Sequence, residues 1–322
     1  MAAPPTTLPA FTHCPSTITT TTDHAYGPHP HQFLRVHTVL PAPPSGTPAR
    51  PLALIFHGGW WKNKWTIDNT PATTLPAPLA AAGFTPVEVE YRRRDDTGGV
   101  APGPAKDAAA AVTLLATTLF PGVPHALWFG HSAGGTLVLS AAANVAGRLG
   151  VTPLAVGLAA VTDLDAAAAD GLGDGGDEAE RYLGARRGGP GWTAVVAASS
   201  PVAWGAGGCY DPARTLLVAG ADDVDVPPRY VDRYVATVGG GVHTLLLPGV
   251  DHYQMVEGGG PAWAAVMDKC RQLLGEQWPT GRRTTHSPGV GSPTRWRAGE
   301  KNSQRRDRPP ATDRRRTYQD LP

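Results

Sequence analysis

The segment Ala126-Leu127-Trp128-Phe129-Gly130-His131-Ser132-Ala133-Gly134-Gly135-Thr136-Leu137-Val138-Leu139 decides the fold. Its first four residues form a short continuous apolar run, as expected of a strand buried on both faces. The residues from Ala133 onward read as a helix continuing to Leu149 and stopping at Gly150. Only one or two residues separate the two patterns. A strand that turns into a helix so sharply puts its central residue in a strained backbone conformation. Side chains at the flanking positions would collide with neighbouring backbone, so Gly130 and Gly134 answer a steric demand. The Ser132 hydroxyl is then held above the sheet at a helix N-terminus, with the next N–H facing any oxyanion formed there. A Gly-x-Ser-x-Gly string alone is common, and a glycine-rich turn with an incidental serine is the plain alternative. The strand before it and the helix after it select the nucleophile elbow.

Outward from this elbow, strands and helices alternate. Residues 32–40, 52–56, 85–91, 154–161, 215–219 and 243–247 read as strands. Residues 76–82, 104–119, 229–238 and 262–274 read as helices. Such alternation implies a mostly parallel, doubly wound sheet with helices on both faces. Chemistry then belongs in the loops at the carboxyl ends of the strands. Residues 163–200 break the pattern. They are Gly-rich, acidic at first, and read as a partly ordered lid with a short helix near 177–183.

Three such loops carry candidate groups. After the strand 52–56 comes His57-Gly58-Gly59-Trp60-Trp61. Acyl transfer needs donors aimed at the tetrahedral oxygen. Consecutive glycines let backbone N–H groups approach a substrate, so Gly58 and Gly59, with Ala133, are the candidate oxyanion donors. Trp60, Trp61 and Trp65 either line a pocket for an apolar substrate or fill the core beneath the loop. A serine also needs a base. His252 follows the strand 243–247 directly, in Gly249-Val250-Asp251-His252-Tyr253, whereas His243 opens that strand and reads as structural. The acid is sought in Gly220-Ala221-Asp222-Asp223-Val224-Asp225-Val226-Pro227. The spacing Gly-x-x-Asp-x-x-Val-Pro selects Asp223, with Asp222, Asp225 and Asp163 as alternatives. The acid fixes the imidazole tautomer and stabilises the imidazolium.

These residues together resemble the α/β-hydrolase superfamily, over about 26–274. Within it the chain looks most similar to the kynurenine formamidase-like and small carboxylesterase group. The shared features are His57-Gly58-Gly59-Trp60-Trp61, Gly130-His131-Ser132-Ala133-Gly134, Asp251-His252-Tyr253 with Val256-Glu257, and Ser200-Pro201. Gly135 and Tyr91-Arg92-Arg93-Arg94 depart from the formamidase pattern. The resemblance implies an α/β-hydrolase fold, a Ser132–Asp223–His252 triad acting on an ester or amide, and no cofactor or metal. The rival from another class is a non-catalytic binding protein on the same fold.

The 322 residues carry a net charge of +1, with 39 Gly and 33 Pro. That composition averages unlike parts. Residues 1–22 read as a flexible Pro-, Thr- and Ala-rich arm, and 23–278 as the hydrolase domain. Residues 279–322 hold eleven Lys and Arg against four Asp and Glu, with almost no aliphatic side chains. They read as a disordered basic tail. Its arginines could contact phosphates, but a solvated tail is the expectation, so nucleic acid is not the expected partner. The expected partner is a small-molecule ester or amide. No apolar stretch suits a membrane span. The N-terminus has the look of neither a secretory nor an Arg-rich transit peptide. Three cysteines, Cys14, Cys209 and Cys270, fit a reducing, cytoplasmic setting. His29-Pro30-His31 has the alternation of a two-ligand metal site. No carboxylate or cysteine cluster completes it, so it reads as a Pro-rich loop.

Overall fold

A computed structural model describes residues 16–206 and 211–279. Eight strands form one sheet: β1 (Thr17–Ala25), β2 (Phe33–Leu40), β3 (Leu52–Phe56), β4 (Thr85–Val89), β5 (His125–His131), β6 (Leu154–Leu158), β7 (Thr215–Gly220) and β8 (His243–Leu247). Their order is β1-β2-β4-β3-β5-β6-β7-β8. β3 through β8 run parallel, while β2 pairs antiparallel with both β1 and β4. Every residue of β3, β5, β6 and β7 is buried, as the continuous apolar runs imply.

The helices are α1 (Pro76–Ala81), α2 (Gly103–Leu114), α3 (Ala133–Ala141), α4 (Gly147–Leu149), α5 (Leu164–Ala169), α6 (Glu178–Leu183), α7 (Trp192–Ser199), α8 (Pro201–Ala206), α9 (Arg229–Val238) and α10 (Pro261–Leu274). They cover both faces. On one face α2, α3 and α9 bury Ala108, Val112, Leu137, Val138, Tyr230 and Tyr234 against the sheet. On the other, α1 and α10 bury Leu79, Trp263, Val266, Met267 and Cys270. None of the helices in the described residues is long and apolar enough to cross a membrane.

Two sequence expectations are corrected. The arm read over 1–22 gives way at Thr17 to strand β1, which pairs with β2 from Thr17 opposite Leu40 to Ala25 opposite Phe33. Its β-branched threonines favour extended backbone, and its place at the sheet edge tolerates polar side chains on both faces. The segment 163–200 holds more structure than one short helix, since α5, α6 and α7 all lie within it. Asp163 caps α5, its side chain accepting from the Ala166 N–H at 3.0 Å. Residues 1–15, the tail 280–322, Cys14 and Cys209 lie outside the described residues.

The segment 163–200 is anchored by burial. Trp61 is fully buried and its ring stacks on Tyr182 of α6, with centroids 3.8 Å apart. Trp61→Ala should lower the unfolding free energy by about 3–5 kcal/mol, measured by urea denaturation. No change would mean that this stack does not hold the segment.

Burial also makes stability depend on pH. It pushes the His125 imidazole down to about 4 from an ordinary value of 6.5, and neither ring nitrogen has a hydrogen-bond partner among the described residues. The unfolded chain then takes up a proton below pH 6.5 that the folded chain refuses until about 4. Stability is therefore complete above 6.5 and falls as the pH drops through that window, by about 3 kcal/mol for this one group. His125→Leu should flatten the fall by that amount in urea denaturations run between pH 7 and 4. An unchanged slope would refute the assignment.

Candidate active site

At the end of β5 the chain turns at Ser132, whose φ of 53° and ψ of −119° lie where L-residues are strained. Two glycines make the turn possible. A Cβ on Gly130 would stand 2.3 Å from the Gly134 carbonyl oxygen, and one on Gly134 would stand 2.2 Å from that of Phe56. Both clashes are with backbone that cannot move aside. Ser132 is buried and immediately precedes α3.

The β7 and β8 loops deliver the other two groups. His252 Nδ1 lies 2.7 Å from Asp223 Oδ2, and Asp223 Oδ1 accepts the Val226 N–H at 2.8 Å. Both residues are buried. With the ring proton on Nδ1 facing the carboxylate, Nε2 is left as a proton acceptor. Of the three competing aspartates, Asp223 makes this bond. Asp222 is exposed, and Asp225 stands nearby, with a carboxylate oxygen within 4.8 Å of the other two groups. The loops meet closely, since a Cβ on Gly220 would fall 2.2 Å from the Val250 carbonyl oxygen.

His131 links this pair to the elbow. Its Nε2 lies 2.9 Å from the His252 carbonyl oxygen, and the two rings are 4.6 Å apart. Burial, then the neighbouring His252, pushes the His131 imidazole down to about 3, so it is neutral and donates from Nε2. The sequence pattern treats this position as free; nothing in the chain order marks its contact with a residue 121 positions away.

The β3 loop lies against the elbow. A Cβ on Gly58 would be 3.0 Å from Ser132 Cβ and 2.9 Å from His131 Nδ1, so glycine here lets the two backbones meet. Gly59 has a φ of 108°, and Trp60 and Trp61 follow at 51° and 53°. Three consecutive left-handed residues are costly and persist because their surroundings hold them. His57 stacks on Tyr91 with centroids 4.4 Å apart, and the Tyr91 hydroxyl donates to the His57 carbonyl at 2.8 Å. His57 Nε2 lies 3.2 Å from Glu90 Oε1. Glu90 also accepts the Ile67 N–H at 3.0 Å and pairs with the fully buried Arg93. Burial raises the Glu90 carboxyl, but the hydrogen bond to His57 and the Arg93 charge outweigh it and hold Glu90 below the usual range. Trp60 is also buried, edge-on to Trp61, so in this conformation both tryptophans pack under the loop. Lys62 Nζ, at 2.7 Å from both Asp174 and Glu178, ties the loop to the segment 163–200, and Arg94 pairs with Glu178. Glu90 and Glu178 escape sequence reading because His57 and Lys62, which they meet, are brought to them by tertiary packing. The run Tyr91-Arg92-Arg93-Arg94 was visible but did not reveal its role.

No family model matches the chain, and no curated protein does. Solved structures do. Esterase B from Lactobacillus rhamnosis, captured with a tributyrin phosphonate inhibitor, is similar over 80% of this chain and 87% of its own, at 17% identity and a TM-score of 0.60. An esterase of Pyrobaculum calidifontis is similar over 82% and 87%, at 17% identity and a TM-score of 0.57. Carboxyl esterase 2 from the mycorrhizal fungus Tuber melanosporum covers 82% and 88%, at 18% identity and a TM-score of 0.57. With the eight-stranded, mostly parallel sheet and helices on both faces, these matches define the α/β-hydrolase fold.

Proposed function

We propose that this protein is a serine hydrolase of carboxylic esters, with Ser132 as nucleophile, His252 as general base and acid, and Asp223 as the group that orients and stabilises the imidazolium. The 2.7 Å bond between His252 and Asp223, in loops meeting at the Ser132 elbow, carries this reading. His252 Nε2 takes the Ser132 proton as the oxygen attacks the ester carbonyl. Backbone N–H groups of Gly58 or Gly59 and of Ala133 receive the negative charge that develops on the carbonyl oxygen, each such donor being worth about 10²–10³ in rate. His252 then protonates the departing alkoxide, leaving an acyl group on Ser132. Water, deprotonated by the same ring, releases the acid.

Exposed Val224 and Tyr253, beside Asp223 and His252 in the chain, offer an apolar lip for a neutral substrate. That the Lactobacillus esterase is inhibited by a tributyrin phosphonate agrees with ester chemistry on this architecture. The finer arylformamidase reading rests on the resemblance of the motifs. Rates on short acyl esters, feruloyl esters and N-formylkynurenine separate the substrate classes. A fluorophosphonate probe tests the chemistry: the native chain should be labelled at Ser132, and an unlabelled chain would favour a non-catalytic binding protein.

A further inference from the structure

The tight turn between β1 and β2 carries His29-Pro30-His31, two imidazoles one residue apart. The third group comes from residue 96, 65 positions beyond His31, in the loop after β4. His31 Nδ1 lies 2.8 Å from Asp96 Oδ2, and His29 Nε2 lies 4.0 Å from Asp96 Oδ1. The two histidine rings are 5.1 Å apart, and one ligand atom from each of the three residues falls within 4.8 Å of the others. We propose that His29, His31 and Asp96 form a binding site for a divalent transition-metal ion of the zinc type, separate from the Ser132 site.

The donor set is that of a three-ligand zinc site, two imidazoles and one carboxylate, with a fourth position left to water. Metal–ligand bonds of zinc length put tetrahedral ligand atoms about 3.3 Å apart. The observed 2.8 and 4.0 Å straddle that spacing. The side chains of His29 and His31 are 25% and 34% exposed, so ring rotation can close the difference, and the outer face is open to water. Asp96, at 9% exposure, is the fixed member. Asn63 Nδ2 donates to its Oδ1 at 2.6 Å, and the Arg93 N–H donates to its Oδ2 at 2.8 Å. Such outer hydrogen bonds aim a coordinating carboxylate.

One contact must yield. His29 Nδ1 now accepts the His31 N–H at 3.2 Å. Coordination through Nε2 moves the ring proton to Nδ1 and opens that long contact. In return the ion cross-links the β1–β2 turn to the β4 loop and, through Asn63, to the segment that follows Gly58 and Gly59. It acts as a clamp on the fold and takes no part in hydrolysis.

Asp223, Asp225 and His252 form the other such group among the described residues. The test therefore separates the two. Chelator-treated full-length chain is titrated with Zn²⁺ by calorimetry and with Co²⁺ by visible absorption. One ion per chain should bind to the wild type and equally to His252→Ala, and Zn²⁺ should raise the melting temperature of both. Binding should be lost in His31→Ala and in His29→Ala. Asn63→Ala should weaken it by about 10–100-fold. His31→Ala should hydrolyse p-nitrophenyl esters at the wild-type rate. Absence of binding at micromolar Zn²⁺, binding unchanged in His31→Ala, or binding lost in His252→Ala would each overturn the site. If His31→Ala does not fold, His29→Ala decides.

Discussion

Ser132→Ala should reduce the turnover of p-nitrophenyl esters by about 10⁶-fold and leave the melting temperature near that of the wild type. The rate falls because no other group at the elbow can form the acyl intermediate. The background from oxyanion donors and substrate binding remains. Stability holds because alanine at a φ of 53° suffers the same strain as serine, and only a hydroxyl is removed. Turnover within tenfold of wild type in a folded variant would remove Ser132 from the chemistry.

Asp223→Asn should cost about 10⁴-fold in kcat with little change in KM. An asparagine in this place can still accept the Val226 N–H, so the loop keeps its shape. Its amide, however, donates to His252 Nδ1 where the carboxylate accepted from it. The ring proton is driven to Nε2, and the nitrogen facing the nucleophile can no longer take a proton. Stopped assays on the purified variant measure the drop. Asp225→Asn and Asp222→Asn should each fall far less. An equal loss in either would transfer the role from Asp223.

The features visible in the chain were those written in local order. The buried strands announce themselves as apolar runs, and helix α9 falls at the predicted 229–238. The need for glycine at 130 is legible because its clash, with the Gly134 carbonyl, lies within four residues, whereas the Phe56 carbonyl that excludes a side chain at 134 is brought there only by the sheet. The spacing Gly-x-x-Asp-x-x-Val-Pro singled out Asp223 among neighbours of the same type because the turn geometry is also local. Strand β1 escapes the sequence reading because threonines without a buried face carry no periodic signal. The helices α5, α6 and α7 escape the sequence reading because each spans only six to eight residues, too few to show a period, and the stretches between them are rich in glycine.

Local spacing determined the architecture and the three residues proposed for the reaction, since steric rules for turns and strands operate over a few positions. Tertiary structure alone decided which polar groups meet. Glu90 lies under His57, Glu178 holds the segment 163–200 to Lys62, His131 reaches His252, and Asp96 joins His31. Each of these contacts joins segments remote in the chain. Their energy comes from desolvated charge and hydrogen-bond geometry, which exist only after the sheet has brought those segments together.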